Sequence, residues 1–340
     1  MNKKIIAIAI ASAMAAPAAM ADLKISGSFY GEILSMNDGA VASTMTFDPI
    51  TGLATDNGLA ETGTPKSAMT FADGGNNAIS FTATSGNVYG KMGLNVGPAA
   101  SGADFQPKYR DFFIGYDLGN GSSVQFGTMN GANKNLEKDA YIATFLQTRN
   151  TFAEATTNKK YGSSSFISNV IQFKAKVGNG TLIAQYNPNS DVNDTYNADE
   201  GHTGVSYAAK SGGVNWYVGY NNGAGSDADT TDDTNMKVGA SMKFGTIKAN
   251  LDYSSADDGT SDWSAISIGA TMDMGNGMSA NVNYGMMDTG GANDPTSMRL
   301  AVTKSLAKDA VIYGGYTSHD YDVPGMKSAD IFGLGMGIKF

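Results

Sequence analysis

A chain of 340 residues with no cysteine and a formal net charge of −9 has no disulfide framework and no basic footprint for nucleic acid. Hydrophobic residues make up 41% of it, and nothing beyond the N-terminal segment reads as a transmembrane helix. That excludes a helical inner-membrane protein but not a β-barrel, whose strands meet lipid with only every second side chain.

The N-terminal segment carries Lys3 and Lys4, an apolar run from Ile5 to Ala16 broken by Ser12, and Ala19-Met20-Ala21. A short basic region, a run too short to span a bilayer and a small-x-small site predict a removed signal peptide over residues 1–21. Residues 22–340 are then one exported domain.

From Asp22 onward one plan repeats: strand, tight turn, strand, long polar loop. The predicted strands are 22–35, 76–85, 88–97, 107–118, 122–129, 166–177, 181–187, 202–210, 214–221, 235–244, 247–255, 262–274, 278–287, 296–306, 310–319 and 329–340. Seven short turns join them in pairs, at Ser85-Gly86-Asn87, Gly119-Asn120-Gly121, Gly178-Asn179-Gly180, Ser211-Gly212-Gly213, Phe244-Gly245-Thr246, Gly275-Asn276-Gly277 and Ala307-Lys308-Asp309. Glycine and asparagine suit such turns because short hairpins need positive φ. The strands alternate. Met236, Val238, Ala240, Met242 and Phe244 interleave with Lys237, Gly239, Ser241 and Lys243. One face suits hydrocarbon and the other suits water. The fold class is therefore all-β: a transmembrane antiparallel barrel of sixteen strands, closed so that no edge is left unpaired in lipid. Tyr30, Tyr116, Tyr186, Tyr220, Tyr253, Tyr284 and Tyr316 fall near strand ends, where aromatic rings favour the lipid–water boundary. Trp216 and Trp263 are expected to face outward, which argues against an aromatic sugar slide.

Between Met129 and Phe166 the alternation fails, and a short helix is predicted over 136–146. This third long loop is the natural place for function. The next long loops carry Asp191, Asp194, Asp199, Glu200, Asp227, Asp229, Asp232, Asp233, Asp257, Asp258 and Asp262, with no lysine or arginine. Gathered at one mouth, they would concentrate cations at low salt. They could associate weakly with Ca²⁺ or Mg²⁺ or bridge to lipopolysaccharide, but they lack a calcium-loop pattern, so no cofactor or defined metal site is expected. His202 and His319 are the only histidines, and nothing in their spacing suggests a catalytic constellation. The chain ends on an alternating strand, Phe332 to Phe340.

These features resemble a known family, the trimeric, sixteen-stranded general diffusion porins of the Gram-negative outer membrane. The resemblance is carried by Asp22-Leu23-Lys24-Ile25-Ser26-Gly27, by Phe113-Ile114-Gly115-Tyr116-Asp117-Leu118-Gly119 with Val124-Gln125-Phe126-Gly127, by Asn169-Val170-Ile171-Gln172-Phe173, and by the strand from Gly333 to Phe340. It implies passive diffusion of small hydrophilic solutes, a homotrimer, contact with lipid and lipopolysaccharide, and assembly machinery that reads the strand ending at Phe340. It also implies a third loop folded into the pore, with acidic residues facing a basic wall. The matching acids are Glu137, Asp139 and Glu154, beside Lys134, Lys138 and Arg149 on the same loop. Lys24, Lys91 and Lys174 are the inward wall candidates by strand parity; Arg110 occupies a position that is basic in the family, whereas its parity with Phe112, Ile114 and Tyr116 points it outward. Arginines that the family carries near Ala78 and Phe166 are absent here, so the wall is thin in basic charge. Mild cation selectivity is the expectation; a substrate-specific channel and an adhesin or receptor barrel are the alternatives.

Overall fold

The computed structural model describes residues 22–37, 46–47, 54–55, 67–72, 77–96, 108–134, 136, 167–187, 202–223, 233–257, 262–291, 294–320, 322 and 328–340. At 36–37, 46–47, 54–55, 67–72, 108–110, 202 and 233 it describes the backbone alone.

The chain forms a closed, all-antiparallel barrel of sixteen strands. The first half contains β1 (Asp22–Asn37), β2 (Ser67–Ala72 continued by Ala78–Ser85), β3 (Val88–Asn95), β4 (Lys108–Gly119), β5 (Ser122–Met129), β6 (Ile167–Val177), β7 (Gly180–Asn187) and β8 (His202–Ser211). The second half contains β9 (Val214–Gly223), β10 (Asp233–Phe244), β11 (Ile247–Asp257), β12 (Asp262–Gly275), β13 (Met278–Asp288), β14 (Thr296–Ala307), β15 (Ala310–Asp320) and β16 (Ala329–Lys339). Each strand pairs with its sequence neighbours, and β1 closes the ring against β16 from Ser28↔Lys339 to Asn37↔Asp330. On its other edge β1 pairs first with Ala78–Ser85 and then with Ser67–Ala72, so these two pieces make one interrupted stave. The Ser67–Ala72 piece and a small ladder between Thr46–Phe47 and Ala54–Thr55 lack sequence alternation and were not expected. The other strands fall within a few residues of their predicted bounds.

Alternation explains why these residues close into a ring. On β12, Ile266, Ile268 and Met272 are exposed, while Ala265, Ser267 and Gly269, of the opposite parity, are buried. On β16, Phe332, Leu334, Met336 and Ile338 are exposed and Gly333 and Gly335 are buried. The apolar set is thus the outer face, and a slip of one residue would carry all of it inward. The described inner face is mostly polar; one small apolar cluster on it is Met129, Ile167 and Val170, with Phe113 packed against it. Among the described residues no helix is long and apolar enough to cross a membrane.

Two outward assignments fail. Tyr30 is buried on the inner face of β1, level with Glu32 and Leu34, because Phe29 and Ile33 take the outer one. Trp263 shares the inner parity of Ala265 and Ser267 and stands opposite the buried Ala256. Trp216 keeps the outer parity and packs against Tyr207, their ring centroids 5.4 Å apart. Tyr116, Tyr186, Tyr220 and Tyr284 are exposed on the outer face as expected.

The seven short turns all form. Two share one sequence, Asp-x-Gly-Asn-Gly, at Asp117–Gly121 and Asp273–Gly277. In each, the aspartate accepts a hydrogen bond from the glycine amide two residues on, at 2.8 Å for Asp117 and 2.9 Å for Asp273. The central Asn120 and Asn276 sit at φ 54° and 51°, the left-handed region that asparagine tolerates better than most residues.

Candidate functional site

The inner wall is built in transverse rows, because side chains opposite one another in adjacent strands share a face. One row runs through ten consecutive strands, β3 to β12: Tyr89, Gly115, Gln125, Gln172, Gln185, Gly204, Asn221, Asn235, Ala256 and Trp263. Its amides are hydrogen-bonded side by side. Gln185 donates to Gln172 Oε1 at 2.7 Å, Gln172 to Gln125 Oε1 at 2.6 Å, and Gln125 to the Tyr89 hydroxyl at 2.8 Å. Further round, Asn235 donates to the Ser255 carbonyl at 2.9 Å.

Three inner tyrosines cross a glycine to reach a polar group two strands away. Tyr89 passes over Gly115 to Gln125, Tyr217 over Gly239 to Asp252 Oδ1 at 2.9 Å, and Tyr313 over Gly335 to Glu32 Oε1 at 2.8 Å. A Cβ at Gly239 would fall 2.5 Å from the Tyr217 ring, so glycine is what lets the ring lie against the backbone. The Tyr313–Glu32 bond spans the seam where β16 meets β1.

The charges of the wall differ in setting. Lys91 donates to Asp111 Oδ2 at 2.5 Å, so this wall cation is matched by an acid on the adjoining strand. Lys24 and Lys91 stand either side of Thr82 in one row, whereas Lys174 stands apart, opposite Ser123 and Ile183. Lys24 and Lys174 are exposed. For Arg110, on β4, the backbone alone is described, and the register jumps between Met92↔Phe112 and Leu94↔Tyr109. Parity therefore cannot be counted through Arg110.

Of the third long loop, residues Asn130–Lys134 and Leu136 are described. They lie against inner-face groups of β7 to β10. The Asn130 carbonyl accepts from Gln185 at 2.7 Å, the Ala132 carbonyl accepts from Ser206 at 2.8 Å, and Asn133 donates to Asn235 Oδ1 at 3.0 Å. The Lys134 amide donates to the Gly131 carbonyl at 3.0 Å and closes a turn. Glu137, Lys138, Asp139, Arg149 and Glu154 lie outside the described residues, as do most of the acidic-loop aspartates; Asp257 and Asp262 are exposed at strand ends.

Sequence reading did not nominate Glu32, Asp111, Lys237, Asp252, Arg299 or His319, all buried on the inner face. Parity alone already puts Lys237 on that face; what it lacks is its neighbours. Among the described residues no three His, Cys, Asp or Glu side chains are grouped to hold a metal.

A closed ring with an apolar outside and a polar, charged inside is a wall between lipid and water. The model of the Gram-negative porin family matches residues 7–324 of the chain. No curated protein matches it. Among solved structures, the anion-selective porin from Comamonas acidovorans superimposes with TM-score 0.71 at 13% identity, over 94% of this chain and 100% of that one. Salmonella typhi OmpF, in complex with daunomycin, gives 0.70 at 13% identity over 94% and 97%. The trimer form of Vibrio cholerae OmpT gives 0.64 at 16% identity over 94% and 100%. These likenesses establish the fold, and family and fold together point to a passive channel rather than an enzyme. The chain belongs to the family of Gram-negative porins and is a channel protein of the outer membrane.

Proposed function

We propose that the protein is a general diffusion porin: a water-filled, passive pore for small hydrophilic solutes and ions, with no catalytic role. The observation that carries this reading is the polar inner face, which runs from strand to strand round the ring and includes Gln125, Gln172, Asn235, Asp252 and Arg299. Passage through such a wall needs a hydrated bore and fixed charges, not a reacting group. In this reading the third loop continues inward from its seat on β7 to β10 and narrows the bore with Glu137, Asp139 and Glu154, flanked by Lys134, Lys138 and Arg149. Lys24, Lys91, Lys174 and Arg110 would supply the facing basic charge, with Lys91 already offset by Asp111.

Mild cation preference follows from the acidic outer loops and the net charge of −9. The Comamonas relative is anion-selective, but at 13% identity it speaks for the fold alone. The working unit would be a homotrimer, the state named for the Vibrio cholerae relative, seated in lipopolysaccharide and delivered by machinery that reads the strand ending at Phe340. Residues 1–21 would be removed on export, and weak Ca²⁺ or Mg²⁺ association would be confined to the outer loops.

Single-channel recording in a planar bilayer tests this. Steps in groups of three, with a reversal potential favouring K⁺ across a KCl gradient, are expected. Anion preference would remove the selectivity claim and leave the pore. Saturable uptake of one solute would favour a specific channel, and folded barrel without conductance would favour a receptor or adhesin.

A further inference from the structure

Lysines gather on the inner wall of β6 to β11 at the end where the short turns lie. On β6, Lys174 and Lys176 continue the parity of the buried Gln172, while Ile171, Phe173 and Val177 are exposed on the outer face. On β8, Lys210 follows the buried Ser206. On β10, Lys243 follows Lys237 and Ser241, and on β11 Lys248 shares the parity of Asn250 and Asp252. The ladders from β6 to β11 hold register throughout, so this count of faces is unbroken. Lys176, Lys210, Lys243 and Lys248 each lie within two residues of a short turn.

The arc is open and lacks counter-charge. Lys174, Lys176, Lys210 and Lys243 are exposed, and Lys248 is half-buried. Among the described residues none of the four exposed lysines is joined to an acid. Between the amide row and the turns, the one acid described on the inner face of these strands is Asp252. It is 2% exposed and already accepts from Tyr217 and Asn250. Lys243 and Lys248 stand directly opposite each other, an arrangement that weakens a ladder rather than supporting it. The loops joining the far ends of these strands, 188–201 and 224–232, carry acidic residues and no lysine or arginine. Adjacent strands are about 4.8 Å apart and the screening length in about 0.1 M salt is about 10 Å, so the fields of neighbouring lysines overlap. A concave, low-dielectric wall of one sign concentrates the opposite ion.

We propose that this arc makes the turn-side mouth of the bore an anion-collecting vestibule, which draws small multivalent anions to the inner rim of β6 to β11. The vestibule presupposes the water-filled bore proposed above. It gives the two mouths different preferences, so a solute's charge matters differently according to the side from which it enters.

Tripolyphosphate is the probe. Because the chain has no cysteine, Asn179→Cys, in a short turn, marks the turn side by its reaction with a bilayer-impermeant thiol reagent. In about 0.1 M KCl, tripolyphosphate on the turn side should interrupt the single-channel current, and on the loop side several-fold less often. The triple variant Lys176→Gln, Lys210→Gln, Lys243→Gln should lose the turn-side interruptions. Its unfolding midpoint should not fall, since it relieves the Lys243–Lys248 opposition. Equal interruption from both sides of the wild type overturns the proposal, as does undiminished turn-side interruption in the triple variant. Titration calorimetry of tripolyphosphate into the folded barrel in non-ionic detergent reads the vestibule without conduction. Binding that weakens several-fold in the triple variant is expected, and equal binding overturns the proposal. A barrel that binds in this way but never conducts would instead overturn the proposed function and leave the vestibule standing.

Discussion

Tyr313 and Glu32 lie at opposite ends of the chain and meet only because the barrel closes, each buried and bonded to the other across Gly335. Tyr313→Phe removes the donor and leaves a carboxylate oxygen in a dry setting, so it should cost about 1–3 kcal/mol in urea unfolding of the lipid-reconstituted barrel. Tyr316→Phe is the useful contrast. Tyr316 donates to Asp330 at 2.6 Å from a less buried position, and its loss should cost less. Lys91 teaches a different lesson. Because it is joined to Asp111, Lys91→Ala does not simply subtract a positive charge from the wall; it frees a negative one. The reversal potential in a KCl gradient should therefore move towards that of K⁺, and a double variant with Asp111→Asn should move it back.

At the scale of strands and turns, the twin Asp-x-Gly-Asn-Gly hairpins are the most defined local structures. Asp273→Ala should cost about 1 kcal/mol by removing the bond to the Gly275 amide, and Asn276→Ala about the same by forcing alanine into the left-handed region. Unfolding midpoints of the two single variants would check both. Strands and turns were legible because alternation and positive-φ residues are local signals. Legibility ended where the signal became non-local. Tyr30 is expected at the lipid boundary from residue type and strand-end position, but its facing is set by the parity of neighbours such as Phe29. Trp263 is expected outward by parity, but counted from the exposed Ile266 it shares the inner parity of Ala265. The bulge beside Gly93 breaks the count at Arg110. Lys91 could be placed on the wall from parity, yet its pairing with Asp111 depends on how β3 and β4 register. The amide row is likewise invisible in sequence, since its members are scattered from Tyr89 to Trp263 and become neighbours only through the strand registers.

For the whole molecule, closure and charge govern behaviour. The seam is held by more than the β1–β16 ladder: Gly27 and Phe340 exchange both backbone hydrogen bonds, at 2.8 and 3.0 Å, and the Phe340 ring stacks on Phe29 at 5.6 Å. Deleting Phe340 should lower the yield of folded barrel, seen as loss of the fast-migrating band in unheated gel electrophoresis. If acidic loops set the selectivity, it should fall as KCl rises from 0.01 to 1 M, because the screening length shrinks from about 30 to about 3 Å. The tyrosines that lie over glycines bear on calibre. A ring laid flat along the wall takes up little cross-section, whereas one lifted off it by a methyl group would project into the current path. Gly239→Ala and Gly335→Ala would then act as molecular shims, each raising the electrical resistance of the bore although it adds a single carbon to the wall.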